Sequence, residues 1–407
     1  MPAWRSSSAP DSMPNPTSGG DTLAEVSADA PARERFTVLD SWRGIAAMGV
    51  AWYHVKGVYW WLEGPLYQRL NYAVDFFFVL SGFVIAAAYG EKLRQGFPIL
   101  KFMFLRYARL WPLHAFVIGL LLALEIAFWA TGAFTDVAGR EPFAARREWW
   151  TLPATLTLLQ EYVHPGWKTW NTSAWSISVE VGLYLMAALL LRFFGRWGTV
   201  VALAIALAAG TSLLLRELVL PLTIMRGLVG FGLGMAAYEV WLRIRHLDLS
   251  RGVATIVELA LVGAVLALLI NGPKHLYADV LFALVVLAFA YERGWLSALL
   301  RRQAFVWLGT LSYSIYMLHG FVIGRTYDVL LVLQSITGWQ LVMPTRAMNL
   351  LVLHPALGAL VMAAMLGGTL VASYLTWRWI EDPARRWSKR KAAQWGAPEA
   401  EKRAPWK

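Results

Sequence analysis

The 407-residue sequence contains no cysteine, which removes both a disulfide framework and thiolate chemistry. Charge is scarce as well: Asp, Glu, Lys and Arg make up 15% of the residues, less than a soluble domain of this length usually carries. Residues 1–36 lack an apolar h-region and are rich in Ser, Pro, Ala and Asp, so they are expected to form a disordered tail and not a secretory signal. No His-x-x-x-His or carboxylate–histidine spacing marks a preformed metal site, and no metal is expected. The net charge of +11 does not point to nucleic acid, because no basic stripe interleaves with aromatics; the Lys and Arg lie in short clusters between apolar runs. Inverted repeats and paired broken helices, the usual marks of a transporter, are also missing.

What is present is apolar. Hydrophobic residues reach 58%, and 22 Trp and 33 Gly suit membrane interfaces and close helix packing. Apolar runs of spanning length lie near 42–62, 70–90, 110–130, 174–194, 198–215, 220–242, 252–270, 277–292, 304–324 and 351–379. They predict an all-α fold, a polytopic membrane helical bundle of about ten transmembrane helices. With the amino terminus on the cytoplasmic side, inside Lys and Arg outnumber outside ones by more than two to one. An even number of spans returns the chain to that side, so both termini are expected to be cytoplasmic. The expected organisation is a tail at 1–36, a membrane domain at 37–387 and a basic cytoplasmic tail at 388–407.

Ionisable groups inside a span cost several kcal/mol unless paired or hydrated, so each needs a reason. In "LDSWRGIAAMGVAWYHVKGVYWW", 39–61, Arg43 and His54 are eleven helical steps apart, which puts them on nearly one face with a rise of about 16 Å. Asp75, Glu180, Arg226 and His319 fall at comparable depth towards the outer side of their spans. With His54 they are expected to form one buried polar chamber. On the inner side, "RYARLWPLH", 106–114, sets Arg106 and Arg109 on one helical face level with Arg43. Guanidinium groups bind phosphates through planar bidentate hydrogen bonds, so a phosphate-bearing donor suits this end. Gly230 and Gly234 read as a helix-packing pair. The stretch 149–167 reads as an interfacial or re-entrant segment.

These residues carry a resemblance. The chain resembles the acyltransferase-3 family of integral membrane O-acyltransferases. Arg43 and His54 match its Arg-x10-His signature, and "VDFFFVLSGFVI", 74–85, its span-two motif. "RYAR", 106–109, is similar to its Arg-x-x-Arg element and "WSISVEVGLY", 175–184, to its span-four motif. "LGTLSYSIYMLHGFV", 308–322, and "IEDPARR", 380–386, resemble its later segments. The resemblance implies a stand-alone member in the bacterial cytoplasmic (inner) membrane, without a fused esterase-like domain. It implies acyl-CoA, commonly acetyl-CoA, as co-substrate, with no permanently bound cofactor. The acceptor would be a hydroxyl on a glycan or a lipid-linked molecule.

His54 is then the expected catalytic histidine, acting either as general base or as acyl carrier, with base catalysis favoured. Asp75 or Glu180 would orient its ring. Arg43, Arg106 and Arg109 would hold the coenzyme, and Ser81 the thioester oxygen. Trp175, Arg226 and His319 are placed on the acceptor side, with His319 read as a satisfied wall residue more readily than as a second base. The competing readings are a transporter or flippase of a lipid-linked saccharide, and an O-acyltransferase acting on a small metabolite or lipid.

Overall fold

The computed structural model describes residues 36–132, 141–144, 146–272, 274–345 and 348–395. The expected tail at 1–36 lies outside them except for Phe36, as do Arg140, Arg346 and residues 396–407. Ten long helices run through the described chain. They are α1 (Thr37–His54), α2 (Ala73–Arg94), α3 (Ile99–Thr131), α4 (Trp175–Phe194) and α5 (Trp197–Leu215). Then come α6 (Leu222–Ile244), α7 (Arg251–Asn271), α8 (His275–Ala290), α9 (Gln303–Thr337) and α10 (Pro355–Thr376).

Local chemistry sets the ends. Pro98 and Pro221 immediately precede α3 and α6, and Pro355 opens α10, where a missing N–H costs nothing. The Ser250 side chain accepts from the Val253 amide at 3.3 Å and caps α7. Gly132 and Gly338 stop α3 and α9 in left-handed geometry, with φ of 61° and 72°.

Seven of these helices, α2, α3, α4, α5, α7, α9 and α10, are long and apolar enough to cross a membrane. α8 is apolar but has only 16 residues. α1 and α6 carry more polar side chains, and each lies along a more apolar partner, α1 on α9 and α6 on α2. The molecule is a multi-pass helical membrane bundle. α7 buries few side chains and shows Ile256 and Leu259 outward, as a lipid-facing helix does.

Two contacts bring backbones together. A Cβ on Gly44 of α1 would stand 2.5 Å from the Gly309 amide of α9, so only glycine allows this approach. On α6, a Cβ at Gly234 would collide with the Val79 carbonyl of α2, which gives the expected packing role a physical cause.

Several boundaries differ from expectation. α1 ends at His54, not near 62, because Val55 turns to extended geometry. The apolar residues beyond it fold back as a small core of Tyr59, Leu62 and Tyr67 against Tyr327 and Leu331 of α9. The one β element among the described residues is a short antiparallel hairpin, β1 (Val342–Pro344) with β2 (Asn349–Leu351), in which Val342 faces Leu351. Segment 149–167 forms short helices, Leu152–Leu156 and Gln160–Val163, that are too short to cross. After a π-helical turn at Trp377–Glu381, helix α11 (Asp382–Ala393) runs through position 388, where the basic tail was expected to begin.

Candidate active site

α1 bears the two residues on which the site is built. Near its start, Arg43 lies beside the glycine contact. Its Nε donates to Ser312 Oγ at 2.8 Å and its Nη2 to the Gly309 carbonyl at 3.4 Å, while Asp40 pairs with Nη2 at 3.4 Å. At the other end, His54 is the last helical residue. The chain just beyond it is clamped. The Lys56 carbonyl accepts from the Leu351 amide at 2.9 Å, and the Tyr327 hydroxyl bridges the Lys56 N–H and carbonyl at 2.9 and 2.6 Å. The Tyr67 hydroxyl donates to the carbonyls of Tyr53 and Val55. Lys56 itself lies over the Tyr53 ring at 3.8 Å, and its burial pulls the ammonium down to about 8.

His54 is part-exposed. Its Nδ1 is 2.8 Å from the Val50 carbonyl. A carbonyl only accepts, so Nδ1 carries the proton and the neutral ring presents Nε2 as a base. No described residue occupies Nε2. The His319 ring lies beside it, centroid to centroid 4.8 Å.

The expected single chamber divides into three groups. The first is this histidine pair, with Ser173 against His319 at 3.1 Å. The second joins α2 to α6: Arg226 donates to both oxygens of Asp75, at 2.9 and 2.8 Å, and stacks over Trp175 at 5.1 Å. The third lines a cavity of about 120 Å³ that holds Arg43, Arg106, Arg109, Ser81, Glu180 and Ser312. Here Ser81 Oγ and the Tyr184 hydroxyl both donate to Glu180 Oε1, each at 2.5 Å.

The orienting role expected of Asp75 or Glu180 therefore has no contact behind it. Asp75 is committed to Arg226, and Glu180 to Ser81 and Tyr184. Arg226, neutralised by Asp75, is likewise not a free acceptor-binding cation. Arg106 and Arg109 lie two turns or more inside α3, which begins at Ile99 and not near 110. The Arg106 guanidinium is held over the Tyr89 ring at 4.7 Å.

Tyr316 and Ser176, whose hydroxyls meet at 2.7 Å, also line this cavity. The Tyr316 ring is 5.8 Å from that of His319.

The 146–174 segment packs across α3 and α6. His114 Nε2 contacts the Thr155 carbonyl at 2.7 Å, and Glu161 accepts from Thr223 Oγ at 2.6 Å. Burial pushes the Glu161 carboxyl above its ordinary range against the pull of that hydroxyl and the Gly166 amide.

Three functional candidates were not legible as such in the sequence. Ser173 and Asn171 reach α9, and the only local sign is a run of capping residues, "NTS", ahead of Trp175. Glu381 is buried, accepts from Ser314 Oγ at 2.8 Å and lies in the field of Arg109 and Arg43. It belongs to the π-helical turn, a form frequent at functional sites.

A family model described as an acyltransferase domain matches residues 36–378. The chain belongs to the acyltransferase-3 family. The acyltransferase is also similar to "Protein 2 in picA locus" of Rhizobium radiobacter, at 36% identity over 152 residues, covering 34% of this chain and 77% of that protein. No solved structure matches the chain. The match to the family model takes in α1 through α10, and with them every residue of the three groups above.

Proposed function

We propose that this membrane acyltransferase moves an acyl group, in the simplest case acetyl, from cytoplasmic acyl-CoA to a hydroxyl of a cell-surface or exported glycan. Its place would be the bacterial cytoplasmic membrane. The acceptor oxygen attacks the thioester carbon while His54 Nε2 takes the hydroxyl proton. The C–S bond then breaks, and the imidazolium returns the proton to the departing sulfur as coenzyme A thiol.

The observation that carries this reading is the His54 ring: Nδ1–H is held by Val50 at 2.8 Å, and Nε2 is left open. A ring fixed in one tautomer with a free lone pair suits a base. The arginine-lined cavity supports a phosphate-bearing donor, since Arg43, Arg106 and Arg109 supply three guanidinium groups to one space. Ser81 also stands on the cavity wall, but its hydroxyl proton is given to Glu180 Oε1 at 2.5 Å, so the thioester-oxygen role expected of it has no free donor behind it. The pantetheine arm would leave the cavity past Tyr316, whose ring neighbours His319, to bring its acyl end to His54.

The test is coenzyme A thiol release by the full-length protein in nanodiscs, given acetyl-CoA and a cell-envelope glycan fraction. Turnover should need both substrates, and His54→Ala should abolish it while coenzyme A binding persists. Glycan acetylation by His54→Ala at the wild-type rate sinks the assignment. Transport of the glycan without thiol release would instead favour a flippase.

A further inference from the structure

α1 and α9 each bring a histidine to the same level, and both rings are held in the same way. His54 Nδ1 meets the Val50 carbonyl at 2.8 Å, and His319 Nδ1 meets the Ile315 carbonyl at 3.2 Å. In both cases the acceptor lies four residues earlier on the same helix. Both Nδ1 atoms therefore carry the proton, and both neutral rings offer Nε2 as acceptor.

What differs is the environment of Nε2. His319 is fully buried, and its Nε2 takes a hydrogen bond from Ser173 Oγ at 3.1 Å. Ser173 is fixed in turn, because its amide donates to Asn171 Oδ1 at 3.3 Å and Asn171 Nδ2 donates to the Met317 carbonyl at 3.0 Å. That closes a loop back onto α9. The lone pair of His319 is spent on this lock, whereas that of His54 is not. His319 is thus poorly placed to act as a second base.

Its ring does fill one side of the other imidazole, with centroids 4.8 Å apart and planes at 53°. The Tyr53 ring stands edge-on on another side at 5.3 Å. The charges near His54 come from Lys56 in the loop that follows it and Lys168 in the 146–174 segment.

We propose that His319, locked by Ser173 and Asn171, is a positioning residue that holds the His54 imidazole with Nε2 towards the reacting hydroxyl. The inference rests on the reading of His54 as the base. A ring free to swing about its last torsion would spend most of its time with Nε2 misdirected. Misplacing a reacting group by about 1 Å can cost on the order of 100-fold in rate. The loss should fall on kcat, because neither His54 nor His319 lines the donor cavity.

The experiment compares His319→Ala, His319→Gln and Ser173→Ala with His54→Ala and the wild type. All are full-length proteins in nanodiscs, assayed with acetyl-CoA and the glycan fraction. His319→Ala should lower kcat about 100-fold, leave the acetyl-CoA KM within about twofold, and shift the limb of the pH profile that reports His54. His319→Gln, which keeps an acceptor for Ser173, should recover much of the rate. Ser173→Ala should lose less than His319→Ala and shift the profile in the same direction.

Wild-type kcat with an unshifted profile in His319→Ala overturns the proposal. So does a raised acceptor KM at unchanged kcat, which would make His319 an acceptor-binding residue. If His319→Ala does not fold, His319→Gln and Ser173→Ala decide the matter by the same readouts. Turnover by His54→Ala would sink the base assignment first, and the positioning role with it.

Discussion

Arg226 of α6 grips Asp75 of α2 through two parallel hydrogen bonds, Nε to Oδ1 at 2.9 Å and Nη2 to Oδ2 at 2.8 Å. Asp75 is completely buried, and His275 of α8 lies 3.5 Å from the same carboxylate. Removing one partner would strand the other charge in a medium that solvates it poorly. Arg226→Ala and Asp75→Ala should each destabilise the protein by about 3–5 kcal/mol. The double variant Arg226→Ala with Asp75→Ala should cost clearly less than the sum of the two. Thermal unfolding in detergent, arranged as a double-mutant cycle, checks this; single-variant losses that simply add would show that the pair is not coupled.

The α2–α6 seam gives a sharper test of packing. Gly234→Ala places a methyl group against the Val79 backbone, which cannot yield as a side chain would. It should cost about 1–3 kcal/mol. Gly263→Ala on α7 meets open space and should gain up to about 1 kcal/mol from helix propensity. Melting temperatures moving in opposite directions would bear this out, and equal shifts would count against the seam.

Arg106 lies above three rings, Tyr89 at 4.7 Å, Tyr184 at 5.9 Å and Phe102 at 6.0 Å. Lysine has the charge but neither the planar stacking nor the forked donors. Arg106→Lys should therefore raise the acetyl-CoA KM about tenfold with a smaller change in kcat. Thiol-release kinetics at varied acetyl-CoA measure it, and an unchanged KM would remove Arg106 from the donor site.

Lys56 supplies a pH signature. Burial lowers its ammonium from an ordinary 10.5 to about 8, in spite of the Tyr53 and Tyr67 rings at 3.8 and 4.9 Å. Below pH 8 the lysine is protonated in folded and unfolded chains alike, so folding bears the cost of burying the charge. As pH rises through about 8 the folded protein releases its proton first, and that cost is progressively lifted until the unfolded lysine also titrates near 10.5. Lys56→Met should thus stabilise the protein at pH 7, and the advantage should shrink between pH 8 and 10. Unfolding midpoints of both proteins across that range provide the check; an advantage that does not change with pH would refute the assignment.

The ten apolar runs of the sequence became ten long helices, because apolar length is a strong signal when lipid is the solvent. The ends were harder to place. "YWWL" at 59–62 is as apolar as a span, but Tyr59, Trp61 and Leu62 fold under α9 into a small core while Trp60 stays exposed. Residues 325–337 continue α9 although Arg325 and Asp328 depress its hydropathy, because the two pair with each other at 2.7 Å. The arginine cavity was foreseeable from one face of α3 and the start of α1. The Asp75–Arg226 and Glu180–Ser81 pairs were not, since side chains 151 and 99 residues apart meet only through helix packing that no local pattern encodes. The Ser173 lock belongs to the same class of long-range contact.

One stiff rod, α1, carries Arg43 at one level and His54 eleven residues later, a separation of about 16 Å that no hinge interrupts. On the proposed reading, the cation that meets the coenzyme and the group that takes the proton therefore move as a unit, like the two jaws of a fixed gauge. Any breathing that admits or expels the alcohol has to take place in the 146–174 segment or the neighbouring helices. Variation in those parts can retune which alcohol is accepted without recalibrating the span between coenzyme and base.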